Sequence, residues 1–263
     1  MSEAASTAGL QARGLTLGYG TRRVISALDL DLPLGRVTVI LGPNGCGKST
    51  LLHAFARLRA PLAGQILLEG QDLQAAPARA FARRLAILPQ APLAPPGIHV
   101  ADLVRRGRAP WRGLLQPWSR TDAEACAAAI DAVGLQDMAD LALDTLSGGQ
   151  RQRAWIALVL AQATPFLLLD EPTTWLDLPH QIEILSLLQR LNRDRGITVV
   201  SVLHDLNLAA RYSDHLVLMG PDGIVAQGAP AEVITEGHLQ TAFALSARVL
   251  PDPVTGAPMV CPV

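Results

Sequence analysis

A glycine-rich turn, GPNGCGKS at 42–49, does most to fix what this chain can become. It follows RVTVIL (36–41), a continuous apolar run of the kind found in a strand covered on both faces. It precedes STLLHAFARL (49–58), where apolar residues recur at helical spacing. Strand, turn and helix in that order satisfy G-x-x-x-x-G-K-[ST] in full. Gly42, Gly45 and Gly47 let the backbone wrap closely with its N–H groups pointing inward at phosphate oxygens, and the helix start adds about half a positive charge. Lys48 is then placed to reach the β- and γ-phosphates of a nucleoside triphosphate, and the Ser49 hydroxyl to hold Mg²⁺. Cys46 reads as a small spacer in this loop. The helix N-terminus and Lys48 are expected to lower its thiol pKa, so that thiol reagents abolish nucleotide binding.

The rest of the chain fits around that turn as an α/β protein. LQARGLTLGYG and VISALDLDLP, before it, alternate apolar with polar residues as strands do. From 166 onward FLLLD, PHQIEILSLLQRLN, ITVVSVLH, DLNLAARYS and HLVLM alternate strand with helix, which predicts a mainly parallel sheet flanked by helices. Between them the character changes. Residues 92–120 hold Pro92, Pro95, Pro96, Pro110 and Pro117 together with tryptophans and arginines, and TDAEACAAAIDAVGLQDM (121–138) reads as an alanine-rich helix capped by Thr121 with Glu124 three residues on. The expected organisation is one domain over 10–250, its core at about 10–90 and 161–250 and a helical insert at about 91–160, with 251–263 as an extended, proline-rich tail. MSEAASTAGLQARG at the start reads as a loose polar leader, not a signal peptide. AWIALVLAQATPFLLLD, the most apolar stretch, is interrupted by Gln162, Thr164 and Pro165 and falls short of the roughly 20 apolar residues a membrane span needs. Cys46, Cys126 and Cys261 are too scattered for a zinc site or a disulfide framework, which fits a reducing cytosol.

FLLLDE (166–171) sends two carboxylates beyond the end of a buried strand, where open α/β sheets bind their ligands. Asp170 fits a Mg²⁺ role, through water because Mg²⁺ sheds its waters reluctantly. Glu171 fits the general base that orients an attacking water. LSGGQRQR (146–153) repeats the physics of the first loop: a hydroxyl, two flexible glycines and a helix start, with Ser147 the expected N-cap, form a second anion receptor. One chain seldom needs two receptors for one phosphate. Two chains placed head to tail would use both.

Taken together these segments resemble the nucleotide-binding subunits of ABC transporters over nearly the whole chain. GPNGCGKST looks like the Walker A loop, LPQ ending at Gln90 the Q-loop, LSGGQ the signature, FLLLDE the Walker B strand with its glutamate, and Leu176–Asp177 the D-loop. His204 in VLHDL looks like the switch histidine, and Tyr19 resembles the aromatic that stacks on adenine. The resemblance implies a P-loop NTPase core with a mainly parallel sheet, an N-terminal antiparallel β part and an α-helical subdomain insert, and it implies hydrolysis of ATP with Mg²⁺. It assigns catalysis to Glu171, His204 and Lys48, and the metal to Ser49, Gln90 and Asp170. Nucleotide contacts fall to Tyr19, to Gly42, Pro43, Asn44, Gly45, Cys46, Gly47, Lys48, Ser49 and Thr50, to Gln90, to Ser147, Gly148, Gly149 and Gln150, and to Asp177. Gln90 would also sense a membrane partner.

IHVADLVRRGRAPWRGLLQPWSRTD and EPTTWLDLPHQIEILSLLQRLN look like bacterial importers of iron–siderophore complexes, with haem and cobalamin importers as near relatives; His99 and Ala109–Pro110–Trp111 depart from that pattern. In such systems the subunit pairs with a second copy and two polytopic permease chains at the cytoplasmic face of the plasma membrane, served by a substrate-binding protein. A soluble ABC-type ATPase for repair, translation or cofactor assembly is the rival class, although those proteins typically carry paired cassettes. Arg105, Arg106, Arg108, Arg112 and Arg120 beside Trp111 and Trp118 could form a single-strand nucleic-acid surface. A net charge of -1 and the lack of any RNA- or DNA-binding module count against that; the segment reads instead as a solvated basic face or, in preference, as one docking on a permease's cytoplasmic loops.

Overall fold

The computed structural model describes residues 8–113 and 116–263. Residues 1–7 of the expected leader and Leu114–Leu115 of the basic segment lie outside the described residues. From Ala8 the chain is already strand. β1 (Ala8–Tyr19) and β2 (Arg22–Pro33) form an antiparallel hairpin, joined by β4 (Ala63–Leu68) and the short β5 (Gln71–Asp72) in a sheet of order β2-β1-β4-β5. Leu28, Leu30 and Leu32 turn one face of β2 inward while the residues between them meet solvent, so this sheet is covered on one side.

The second sheet carries the glycine turn. β3 (Val37–Leu41) leads into α1 (Lys48–Phe55); α2 (Ala78–Ala82) precedes β6 (Leu85–Leu88). Further on, β7 (Phe166–Asp170) and β8 (Thr198–Val202) flank α6 (Leu178–Arg195), and α7 (Leu206–Tyr212) leads to β9 (His215–Gly220) and β10 (Gly223–Gly228). The order is β10-β9-β3-β8-β7-β6, parallel throughout except for the β9–β10 hairpin. Every residue of β3, β7 and β8 is buried, as their unbroken apolar runs require. Alternation splits each strand between two cores. Phe166 and Leu168 join Ile40, Val200, Leu51, Leu52 and Phe55 between the two sheets, while Leu167 and Leu169 join Val39, Leu41 and Val199 under α5 and α6.

Between β6 and β7 the described chain is helical: α3 (Val100–Arg105), α4 (Arg120–Ala132) and α5 (Gly148–Ala161). Two details differ from the sequence reading. α4 starts one residue earlier and is capped by Ser119, with Asp122 closing the capping box, in place of Thr121 and Glu124; the helix ends at Ala132. Asp122 wins because its carboxylate is also the partner of a buried cation: Arg108 Nε donates to Oδ1 at 2.9 Å and Arg108 Nη1 donates to the Ala161 carbonyl at 2.9 Å. Residues 251–263, expected as an extended tail, complete a hairpin of β11 (Ala247–Pro251) and β12 (Pro258–Pro262), reached through α8 (Pro230–Val233) and α9 (Glu236–Phe243). That hairpin packs on α7. Asn207 pairs with both backbone groups of Val260, accepting from its N–H at 2.7 Å and donating to its carbonyl at 3.3 Å.

The Arg108–Asp122 pair joins the helical segment to the end of α5 with both side chains only 6% exposed. Arg108→Met leaves the carboxylate buried without its cation and is expected to destabilise the protein by about 3–5 kcal/mol in urea denaturation; a loss below about 1 kcal/mol would contradict that role. Hydrogen bonds from Ser119 and then Arg108 hold the Asp122 carboxyl below its ordinary range. Its contribution is therefore present above the unfolded-state pKa of about 4 and is lost as pH falls through the lower folded value.

Candidate functional site

The carboxyl ends of β3, β7 and β8 bring three segments to one edge of the sheet. After Leu41 the chain turns through Gly42 (φ 153°), Gly45 (φ 82°) and Gly47 (φ 105°), backbone angles that favour glycine. Space is equally restrictive. A Cβ on Gly42 would lie 2.6 Å from the Met219 carbonyl oxygen, and one on Gly47 would press on Val24 and Ile25 at 3.0 Å. Gly47 is the N-cap of α1 and has no side chain to cap it. Lys48 is buried, and its ammonium donates to the Gly42 and Pro43 carbonyls at 2.8 and 2.9 Å. Among the described residues no carboxylate lies within ion-pair distance of it, so its charge is available to an anion seated in the loop.

Ser49, one residue on, donates to Asp170 Oδ1 at 2.9 Å. Asp170 is 2% exposed, and its Oδ2 accepts no hydrogen bond, although His53 Nε2 lies 3.4 Å away. Burial pushes this carboxyl above its ordinary range, against the Ser49 hydrogen bond and the nearby His53. An orphaned buried carboxylate oxygen beside a hydroxyl is a hard-oxygen donor set that fits Mg²⁺. Among the described residues no cluster of three or more His, Cys, Asp or Glu side chains occurs, so the remaining ligands would have to be neutral side-chain oxygens or phosphate and water oxygens.

Glu171 is the meeting point of the other segments. His204 Nε2 sits 2.7 Å from its Oε1; Gln90 Nε2 donates to Oε2 at 2.7 Å and Thr174 Oγ1 to the same oxygen at 3.0 Å. Burial raises the Glu171 pKa, but the hydrogen bonds from His204, Thr174 and Gln90 together outweigh it and hold the carboxyl below its ordinary range. It is thus ionised at neutral pH and 11% exposed. Its backbone is left-handed (φ 53°), as is that of Trp175 (φ 66°), whose side chain is 97% exposed. Two such non-glycine residues in one turn are strain of the kind held at working sites.

Tyr19, Arg22, Val24, Asn44, Gly45, Gly47, Lys48, Ser49, Thr50 and Glu171 line a cleft of about 350 Å³. Ser147, Gly148, Gly149 and Gln150 do not line it. Ser147 caps α5, its Oγ accepting from Gln150 N–H at 3.3 Å while Gln150 Oε1 accepts from Ser147 N–H at 3.0 Å. Gly149 lies under His180, whose ring a Cβ would meet at 2.6 Å, and His180 pairs in turn with Asp177, the N-cap of α6. The signature turn and Leu176–Asp177 therefore form one cluster, while Tyr19, the glycine turn and Glu171 gather in the cleft. Sequence reading missed Thr174, His53 and His180. Thr174 and His180 stand within the quoted EPTTWLDLPHQ run and could have been found there; His53 carries no signal of its own.

Two expectations are corrected. Cys46 packs against the core between the sheets, and burial raises its thiol pKa despite the opposing charge of Lys48. The arginine-rich segment is a basic face only in part: Arg105, Arg106 and Arg120 are exposed, but not every arginine is free there. Arg108 is buried, Arg105 pairs with Asp102 and Arg120 with Glu124, and Arg105 and Arg112 stack on Trp118.

The sequence model of the ABC transporter family matches residues 25–174. The achromobactin transport ATP-binding protein of Dickeya dadantii is 51% identical over 253 residues, covering 96% of this chain and 94% of that protein. The ferric enterobactin transport ATP-binding protein of Escherichia coli is 48% identical over 258 residues, with 98% and 95% covered. Among solved structures, a metal-chelate type ABC transporter in an inward-facing conformation superposes with a TM-score of 0.84 at 27% identity over 98% of each chain. A bacterial ABC transporter cassette solved as a dimer gives 0.74 at 25% identity, covering 84% of this chain and 98% of the other.

Because partial burial raises the pKa of its thiol, Cys46 is expected to react with iodoacetamide at pH 7.5 more slowly than an unperturbed cysteine, and to accelerate at higher pH than such a cysteine does. Time-resolved peptide mapping separates it from Cys126 and Cys261. Alkylation at pH 7 faster than that of a free thiol would contradict the burial argument.

Proposed function

Because this chain belongs to the ABC transporter family, whose ATP-binding subunits hydrolyse ATP, we propose that it energises import of a ferric siderophore. The observation that carries the hydrolytic part is the convergence on Glu171: an ionised carboxylate at the end of β7, held from both sides, beside the buried ammonium of the glycine turn. The achromobactin and ferric enterobactin transport roles of the Dickeya and Escherichia relatives support the cargo class.

In this reading the amides of Gly45–Thr50 and the Lys48 ammonium grip the β- and γ-phosphates, with Pro43 and Asn44 shaping the loop around them. Mg²⁺, held by the Ser49 hydroxyl, by Asp170 through water and by the Gln90 carbonyl oxygen, would neutralise charge on the phosphate oxygens. Glu171 orients the attacking water and accepts its proton. His204 leaves Glu171 Oε1 to donate to the γ-phosphate, which frees that oxygen for the water. Gln90 and Thr174 keep the other oxygen in place.

Ser147, Gly148, Gly149 and Gln150 stand outside the cleft, so we assign them to the nucleotide of a second copy placed head to tail, with Leu176 and Asp177 carried on the same cluster. The dimeric cassette among the structural matches supports that arrangement. Two membrane permease chains complete the assembly at the cytoplasmic face of the plasma membrane, with a substrate-binding protein delivering the chelate; among the described residues no helix is long and apolar enough to cross a membrane. We assign the permease contact to the segment from Pro92 to Trp118. Leu93 is 93% exposed there, and Gln90, two residues from its start, already grips Glu171, so displacement of this surface reaches the catalytic carboxylate.

Glu171→Gln is expected to leave ATP binding intact and to lower steady-state hydrolysis by about 10²–10⁴-fold. Near-normal turnover would remove Glu171 from the role of base. Lys48→Ala is expected to weaken nucleotide binding itself, read by equilibrium titration. Affinity capture of the chain from detergent-solubilised membranes tests the transport reading: it is expected to bring down a polytopic protein, and recovery of the chain alone would count against it.

A further inference from the structure

We propose that Arg59 is a positioning residue for the nucleotide base, acting through Tyr19; the inference rests on reading Tyr19 as the surface on which adenine stacks. Tyr19 ends β1, across the turn from Arg22, and is 50% exposed. A tyrosine so open would ordinarily sample several rotamers, and a base that stacked on it would have to order it first. Here the ring is held twice. Its hydroxyl lies 3.4 Å from Thr50 Oγ1, in the first turn of α1, and the guanidinium of Arg59 lies 3.7 Å from the ring centroid. That is face contact, the geometry in which a planar cation is attracted to an aromatic ring.

Arg59 has few competing engagements. Its Nη1 donates to the Gly18 carbonyl at 3.0 Å, which anchors it to the residue before Tyr19. Among the described residues no carboxylate lies within ion-pair distance of it. The charge is therefore directed at the ring and not at a structural salt bridge. Arg59 also does not line the cleft that Tyr19 shares with Gly45, Lys48 and Thr50. It meets a face of the ring from outside that lining, so it can fix the platform's plane without touching a phosphate. The position 59 lies outside the glycine turn and the other segments that carry the family resemblance, in a loop between α1 and β4.

The test compares ATP with inorganic tripolyphosphate, which offers the same phosphate chain without a base. Equilibrium affinities are measured for the intact chain and for Arg59→Leu, Arg59→Lys, Tyr19→Leu and the Arg59→Leu/Tyr19→Leu double variant. Arg59→Leu is expected to weaken ATP by about 3- to 10-fold, to leave tripolyphosphate unchanged, and to cost nothing further in the Tyr19→Leu background; Arg59→Lys, which keeps the cation, is expected to lose less. Equal losses for ATP and tripolyphosphate would overturn the proposal, because they would mark Arg59 as a phosphate contact or a general structural support. If Tyr19→Leu weakens ATP while Arg59→Leu does not, the stacking platform stands and the role of Arg59 falls. If Tyr19→Leu leaves ATP affinity unchanged, the platform itself is wrong and this inference goes with it.

Discussion

A triphosphate is strongly hydrated, and a protein competes with water only by presenting many fixed donors at once. Here that constraint is met by a loop that cannot relax. Gly42 and Gly47 sit in left-handed or extended positive-φ conformations with backbone or core atoms within 3.0 Å of where a side chain would start. The loop is clamped between β9, through Met219, and β2, through Val24 and Ile25. A buried parallel sheet with both faces covered supplies the rigidity, and the burial of Lys48 follows from it. An ammonium held by two neutral carbonyls in such a place interacts far more strongly with an arriving anion than it would in water.

The same sheet explains why the acid side of the site is legible as geometry. Asp170 and Glu171 are adjacent in sequence but live in opposite environments. Asp170 completes β7, is buried, and is pushed up by desolvation. Glu171 begins the strained turn and is held down by three donors from three different segments. One carboxylate is thereby suited to bridging a cation and the other to managing a proton. Gln90 and His204 touch the same group from opposite sides, so a movement of either alters the carboxylate directly. α7, which follows His204, is braced by the C-terminal hairpin through Asn207 and by the Arg211–Asp252 pair.

Much of this was readable from the sequence because the chemistry sits in short contiguous runs. GPNGCGKS, FLLLDE and LSGGQ each combine a conformation and a functional group within eight residues, and the strand and helix patterns around them are local. What escaped reading depends on distant contacts. The pKa of Cys46 was expected to follow its neighbour Lys48, but packing between the two sheets dominates. Arg108 looked like one of several surface cations; its burial depends on Asp122 and on the end of α5, more than fifty residues along the chain. The C-terminal segment is rich in proline and looked unpaired, yet Pro251 and Pro258 fall at the ends of its two strands, where a missing N–H does least harm. Arg59 and Tyr19 are forty residues apart, and nothing local predicts their contact.

The central claim is that one chain builds only half of each ATP site, since the signature turn does not face the cleft that holds its own glycine loop. Sedimentation of the hydrolysis-blocked chain with saturating ATP and Mg²⁺ tests this most directly. The account predicts a dimer holding one ATP per chain, which Ser147→Arg in the same background returns to a monomer still able to bind ATP. A hydrolysis-blocked chain that binds ATP fully yet stays monomeric at every concentration would contradict it.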